Sequence, residues 1–300
     1  MEGPFLGSEA LVAGRLTQHQ LRTKFVAVHQ DVYIPVGTEL TPWIRARACW
    51  LRSRRRGVLV GFSASALHGA KWISRARPAE INDTNHKRTR GVIARGVYLE
   101  PDEVCQRAGM PVTTPERTAL DLLCWYPPDT AIPAVDALAR ATRLKVADVE
   151  LLAQRYRGRR GITQARASLQ LVDPGAESPR ETALRLLIIR AGLPRPETQI
   201  RVYNEYGVLI AEVDMGYEHL KIAFEYEGDH HRTDRRQFNK DIRRHDTLIG
   251  LGWIVIRITA EDTDGSIIRW AELALARRQQ PPGGLEPDFP PSGYCRREGD

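Results

Sequence analysis

Acidic side chains gather in the last third of this chain at a spacing suited to holding a divalent cation. The run Glu225-Tyr226-Glu227-Gly228-Asp229-His230-His231 begins eleven residues after Asp214. Val208 to Asp214 and Lys221 to Glu227 read as strands, and residues two apart on a strand share a face. Glu225 and Glu227 therefore project together, while Ile222, Phe224 and Tyr226 turn to a core. Two or three carboxylates converging with a histidine at strand ends suit a hard cation with oxygen ligands. Such an ion polarises a phosphoryl oxygen, lowers the pKa of a water and neutralises developing charge. The chemistry expected is metal-dependent phosphodiester hydrolysis. Asp214, Glu225 and Glu227 would ligate Mg2+ or Mn2+, both of which accept oxygen ligands. Glu181 would add a ligand or position the water, and His231 would serve as acid or base near neutral pH. Each residue alone has a plainer explanation: a turn aspartate, a solvated strand face, a first-turn helix acid, a surface loop histidine. The combined pattern outweighs these.

The elements that must position these groups are legible around them. A helix from Pro179 to Ala191 starts after Ser178, and Glu181, Leu184 and Ile188 share its apolar face. Strands follow at Gln199 to Tyr203, Val208 to Asp214 and Lys221 to Glu227, the first two joined by a tight turn at Asn204 to Gly207. A helix from Arg235 to Gly250 carries Asp241 and Arg244, and a β-branched strand runs from Trp253 to Ile258. A helix between the last two strands is the crossover that parallel pairing requires. The order is α-β-β-β-α-β. Val172 to Pro179, with its Pro, Gly and Ser, marks a boundary before it. The tail, residues 280–300, is rich in Pro and Gly and is expected to be disordered.

The first half reads as mostly helical. Leu11 to Lys24 holds two short helical patterns, the second opened by Thr17 with Gln20 at capping-box spacing. Asp31 to Pro35 reads as a short strand, so residues 1–37 suggest a winged helix-turn-helix. Thr41 to Arg56 reads as an arginine-rich helix, carrying Arg45, Arg47, Arg52, Arg54, Arg55 and Arg56. Further helices are expected at Ser63 to Gly69, after Thr114-Pro115, near Ile132 to Ala141 and near Val146 to Tyr156. Strands are expected at Ile81 to Asp83 and Gly91 to Leu99. The fold class expected is therefore α+β to α/β: a mostly helical region over 1–172, then a mixed core over 176–262.

The 300 residues suffice for two cores, and the net charge of +7 favours polyanionic partners. No stretch of some 18 apolar residues suggests a membrane span. The N-terminus lacks the pattern of a signal peptide. Cys49, Cys105, Cys124 and Cys295 are scattered, as free thiols in a reducing compartment would be. DNA is the expected partner, with no membrane contact, in the cytoplasm. A homodimer is left open.

The C-terminal pattern resembles the PD-(D/E)XK nuclease fold. It is closest to the subgroup similar to very-short-patch-repair endonucleases, a domain of unknown function numbered 559. The resemblance rests on Asp214, Glu225-Tyr226-Glu227-Gly228 with His231, Asp241 with Arg244, and Gly252-Trp253-Ile254-Val255-Ile256-Arg257, over residues 176–262. It implies a restriction-endonuclease-like core and DNA cleavage. Glu227 stands where the general pattern has lysine, although the subgroup commonly has an acid there. Gly14-Arg15-Leu16-Thr17 with Gln20-Leu21, Val32-Tyr33 and Ser63 to Gly69 resemble winged-helix antitoxins of abortive-infection systems. That implies DNA binding, with Arg22 and Lys24 as contacts; Arg244 is a further expected contact. The rival to an endonuclease is a non-catalytic DNA-binding regulator carrying a silent nuclease fold.

Overall fold

A computed structural model describes residues 3–85, 87–227 and 244–279. The expected tail at 280–300 lies outside the described residues. The chain divides into two compact units, residues 1–174 and 175–300. The α+β class holds in both.

Unit 1 opens with a strand, two helices and two further strands: β1 (Phe5–Leu6), α1 (Gly7–Val12), α2 (Gln18–Lys24), β2 (Phe25–His29) and β3 (Val32–Pro35). The strands form an antiparallel sheet in the order β1-β3-β2. Thr17 starts α2 through a complete capping box: its hydroxyl accepts from Gln20 N, and the Gln20 side chain accepts from Thr17 N. Helix α3 (Pro42–Arg52) covers this sheet with Ala48 and Leu51, which pack on Leu6 and Val32. Two short helices are thus followed by strand β3, the order expected at residues 1–37, with β1 and β2 added to the one strand anticipated.

Helix α3 stops at Arg52, four residues short of the expected end, because the backbone turns left-handed at Arg54 (φ 56°) and Arg55 (φ 63°). Ion pairs accompany that turn: Arg54 with Asp31 at 2.9 Å, and Arg55 with both oxygens of Glu9 at 2.6 and 2.7 Å.

The rest of unit 1 joins the strands expected near Ile81 to Asp83 and Gly91 to Leu99 with three others in a second sheet. Strands β4 (Val58–Leu59), β5 (Ala79–Asn82), β6 (Val92–Arg95), β7 (Val104–Arg107) and β8 (Met110–Thr113) take the order β6-β5-β4-β8-β7. Helix α3 and helix α4 (Gly61–Leu67) pack on it through Ala46, Cys49, Ala64 and Ile81. Helices α5 (Pro115–Trp125), α6 (Pro128–Thr142), α7 (Val146–Arg155) and α8 (Ile162–Leu169) follow. Thr114 caps α5 by accepting from Arg117 N, with Pro115 at its first position.

Unit 2 has the anticipated order: α9 (Pro179–Arg190), β9 (Glu197–Tyr203), β10 (Leu209–Tyr217), β11 (Ile222–Tyr226), a helix α10 at 244–250, and β12 (Ile254–Ile258). A further helix, α11 (Asp264–Gln279), follows. The sheet runs β12-β11-β10-β9, with β11 and β12 parallel and the other pairs antiparallel. Leu184 and Ile188 of α9 and Ile267 and Ala271 of α11 cover one face of it, against Ile222, Phe224 and Ile256. Leu248 of α10 covers the other, against Val213 and Ala223. At Gly216 a Cβ would collide with the Ile222 carbonyl, so only glycine lets β10 and β11 approach there.

Candidate functional site

Two regions carry the residues singled out in the sequence: helix α2 of unit 1 and the acidic strand ends of unit 2.

In unit 1, Arg22 and Lys24 lie in the last turn of α2 and are exposed. No acid opens this helix, so its surface is cationic. At the far end of β2, His29 is held neutral down to about pH 4, by burial and by the charges of Arg52 and Arg45.

Unit 1 also buries an ionic network that no sequence pattern announces. Arg117, 1% exposed, pairs with Glu103 and with Asp121 at 2.9 Å, and donates to Tyr156 Oη at 2.9 Å and the Tyr98 carbonyl at 3.1 Å. Arg159 reaches the same oxygen of Asp121 at 2.5 Å. A second cluster surrounds buried Glu80, which accepts from Tyr126 Oη at 2.7 Å and pairs with Arg95 at 3.2 Å. Burial raises the pKa of Asp121 and Glu80, and neighbouring hydroxyl and guanidinium groups pull it back.

In unit 2, the geometry at Asp214 follows from the sheet. Met215 of β10 pairs with Phe224 of β11, so Asp214 and Glu225 are next in register where the strands part. Asp214 Oδ2 accepts from Tyr226 N at 3.2 Å, which ties the two strand ends together. Glu225 is 5% exposed; burial raises its pKa, Arg244 pulls it back, and Asp214 raises it further. Glu181, also buried, is raised by burial and, less strongly, by Asp214. Its carboxylate accepts from Glu177 N at 2.8 Å, and Ser178 caps α9 by accepting from Glu181 N. The fold therefore brings Glu181, Asp214 and Glu225 within one another's electrostatic reach through the central Asp214.

Two guanidinium groups meet these acids. Arg244 donates to Glu225 Oε1 at 2.5 Å and to the Glu212 carbonyl at 3.0 Å. Arg257 pairs with Glu227 at 2.6 Å. Expected as a DNA contact, Arg244 is engaged by a buried carboxylate. Glu227 is the outermost of the acids, with its side chain 43% exposed. His231, Gly228 and Asp241 lie outside the described residues. Among the described residues, no three His, Cys, Asp or Glu side chains gather closely enough to hold a metal.

One histidine escapes the sequence reasoning. His245 follows Arg244 on α10; burial lowers its pKa, as do Arg257 and Arg244, against Asp246 and Glu227. Neither ring nitrogen has a hydrogen-bonding partner among the described residues. Its only signal in the sequence is adjacency to Arg244.

Among the described residues, no helix is long and apolar enough to cross a membrane. Cys49, Cys105 and Cys124 are free thiols.

Comparison with known proteins places a relationship in unit 1. Residues 57–171 match the AbiEi antitoxin C-terminal domain. That stretch contains the Ser63 to Gly69 segment on which the antitoxin resemblance partly rests. Two uncharacterized proteins of Mycobacterium tuberculosis, from strains CDC 1551 and H37Rv, are each 32% identical over 155 residues. The aligned stretch covers 52% of this chain and 57% of each relative, so the chain spans little more than half the length of these relatives. No solved structure matches. The stretch of unit 1 that is similar to the antitoxin domain thus begins after the helices and strands at residues 5–35.

Proposed function

We propose that the chain is a DNA-binding regulator of the antitoxin type, acting through unit 1. The observation that supports it most is the succession of a winged helix at residues 5–35 and the antitoxin-domain match at 57–171, within one compact unit. Helix α2 presents Arg22 and Lys24 to solvent at a start fixed by the Thr17 capping box. A short helix followed by a two-stranded wing is the arrangement by which a helix enters a groove while flanking strands meet the backbone. Cations against phosphates release counterions, so affinity should fall steeply with salt. Duplex binding by the Arg22→Ala/Lys24→Ala variant tests this. Its salt slope should drop by about 0.9 for each phosphate that α2 no longer neutralises. An unchanged slope and affinity would count against α2 as the DNA contact.

A second reading, a metal-dependent DNA endonuclease in unit 2, draws support from Asp214 beside Glu225 at the parting of β10 and β11. Like-charged carboxylates that raise one another's pKa are relieved by a cation. Mg2+ or Mn2+ would be held by Asp214 and Glu225, with Glu181 or Glu227 as further ligand, and would polarise a phosphoryl oxygen and activate water. Arg244 would have to release Glu225 for that, and His245 would join His231 as a candidate acid or base. The cation already on Glu225 and the glutamate in place of lysine favour the silent form of this fold. Calorimetry with Mg2+ and Mn2+, together with a plasmid-nicking assay, separates the two. Metal binding and nicking that are both lost in Asp214→Ala would restore the endonuclease.

A further inference from the structure

The antitoxin-like part of unit 1 holds a turn that the winged helix does not account for. Residues 87–90 read Lys-Arg-Thr-Arg, and Lys87, Arg88 and Arg90 are all exposed. Four exposed arginines of this unit are matched by acids: Arg54 by Asp31, Arg55 by Glu9, Arg75 by Glu39 and Arg155 by Asp102. Lys87, Arg88 and Arg90 have no ion pair among the described residues. Asp83, four residues before Lys87, is buried and faces Arg56 at 3.9 Å. Three unpaired cations within four residues repel one another, and a polyanion relieves that repulsion.

The turn is also built rather than loose. Lys87 N donates to Asn85 Oδ1 at 3.1 Å, and Thr89 Oγ1 donates to the Lys87 carbonyl at 3.1 Å. Arg52 of α3 donates to Thr89 Oγ1 and, at 3.4 Å, to the Lys87 carbonyl. Arg45, two turns earlier on the same helix, donates to the Arg75 carbonyl at 2.7 Å and comes up against Gly91. The same two arginines depress the pKa of His29, so the end of β2 lies beside them. Wing, α3 and basic turn therefore adjoin one another.

We propose that the turn at residues 87–90 is a second surface for the phosphates of duplex DNA, extending the footprint from α2 past the wing. It rests on the DNA-binding reading of unit 1. Strand β2 runs from the end of α2 to His29, beside the arginines that hold the turn, and at about 3.3 Å per residue spans some 13–16 Å. A span of that size compares with the ~12 Å width of a major groove, the scale on which the proposed footprint would meet backbone on both sides of one. Phosphate contacts of this kind add affinity without reading sequence.

The test uses the full chain and a mixed-sequence DNA duplex, with affinity measured against salt. Lys87→Ala/Arg88→Ala/Arg90→Ala should lower the slope of log affinity against log salt by about 0.9 for each phosphate left unneutralised, for up to three phosphates. A charge-reversed version, with glutamate at the three positions, should weaken binding further. Arg157→Ala/Arg160→Ala, which removes two other exposed cations of unit 1, should leave the slope unchanged. Circular dichroism confirms that each variant folds. If the wild type binds and the triple variant keeps its slope, the second surface is refuted while the regulator reading stands. If the wild type binds no duplex, both fall. A slope change seen with single-stranded RNA and not with duplex DNA also overturns the proposal.

Discussion

The two units handle buried charge in opposite ways. In unit 1, Asp121 lies between two guanidinium groups, and Arg117 also bonds Glu103 and the Tyr98 carbonyl. In unit 2, Glu181 and Glu225 each feel the negative charge of Asp214, and Glu225 has Arg244 as its close cation. In the first arrangement opposite charges offset the cost of burying one another, so removing one partner leaves a charge buried and unmatched. The second keeps like charges near one another, a state that persists where something other than stability favours it. Unit 2 thus groups Glu181 and Glu225 around the charge of Asp214, with the Arg244 guanidinium on Glu225.

Breaking the unit 1 network should have the largest effect. Arg117→Met leaves Glu103 and Asp121 buried with fewer partners and should cost about 3–5 kcal/mol. Hydrogen exchange, which resolves stability region by region, would show the loss in α5 and β7. A loss below about 1 kcal/mol would mean that the network is not what holds these elements.

Arg244→Met should cost less, about 1–3 kcal/mol, because it strands one buried carboxylate beside Asp214. Arg244 is itself 36% exposed, and solvent screens part of what it contributes. The change should also push the Glu225 titration higher still, measurable by carboxyl NMR. A Glu225 titration that does not move would show that Arg244 is a bystander.

Asp214→Asn should have the smallest effect on stability, and of the opposite sign. Removing the shared negative charge should lower the titrations of Glu181 and Glu225 and leave unit 2 as stable or more so. A clear loss of stability would recast Asp214 as a structural strand-end residue, through its bond to Tyr226 N.

The pH dependence sharpens the contrast further. Glu181 and Glu225 have folded pKa values above the unshifted 4.5, so the folded state binds their protons more tightly. Their contribution to unit 2 stability is therefore lost as pH rises from 4.5 through the raised values. His29 has the reverse sign: its folded pKa, about 4, lies below the ordinary 6.5. Its contribution to unit 1 is present above 6.5 and is lost as pH falls toward 4. His29→Gln should flatten that acid-side decline; an unchanged profile would place the proton uptake elsewhere.

How much of this can be read from sequence depends on whether a residue's partner is local. The Thr17 and Thr114 caps act over three residues and are legible. The alternation in β10 and β11, and the helical spacing of Glu181, Leu184 and Ile188, give the order of unit 2 and the grouping of its acids. Strand β4 has two residues, and β8 contains Pro111, so neither shows a usable period. The five-stranded sheet of unit 1 is therefore not anticipated. Helix α11 follows a Thr263 whose hydroxyl accepts from Ser266 N, a start signal present in the sequence but weak without a clear apolar period behind it. Arg244 bonds a carboxylate nineteen residues away on another element, a pairing that no spacing rule expresses.

Equilibrium binding of the full chain to duplex DNA in the presence of EDTA tests the central claim most directly. Wild type, Asp214→Ala and Arg22→Ala/Lys24→Ala would be compared. The regulator account predicts tight, salt-sensitive binding without metal, unchanged in Asp214→Ala and weakened in the α2 variant. Binding that requires Mg2+, or that vanishes in Asp214→Ala while surviving the loss of Arg22 and Lys24, would contradict it and move the function to unit 2.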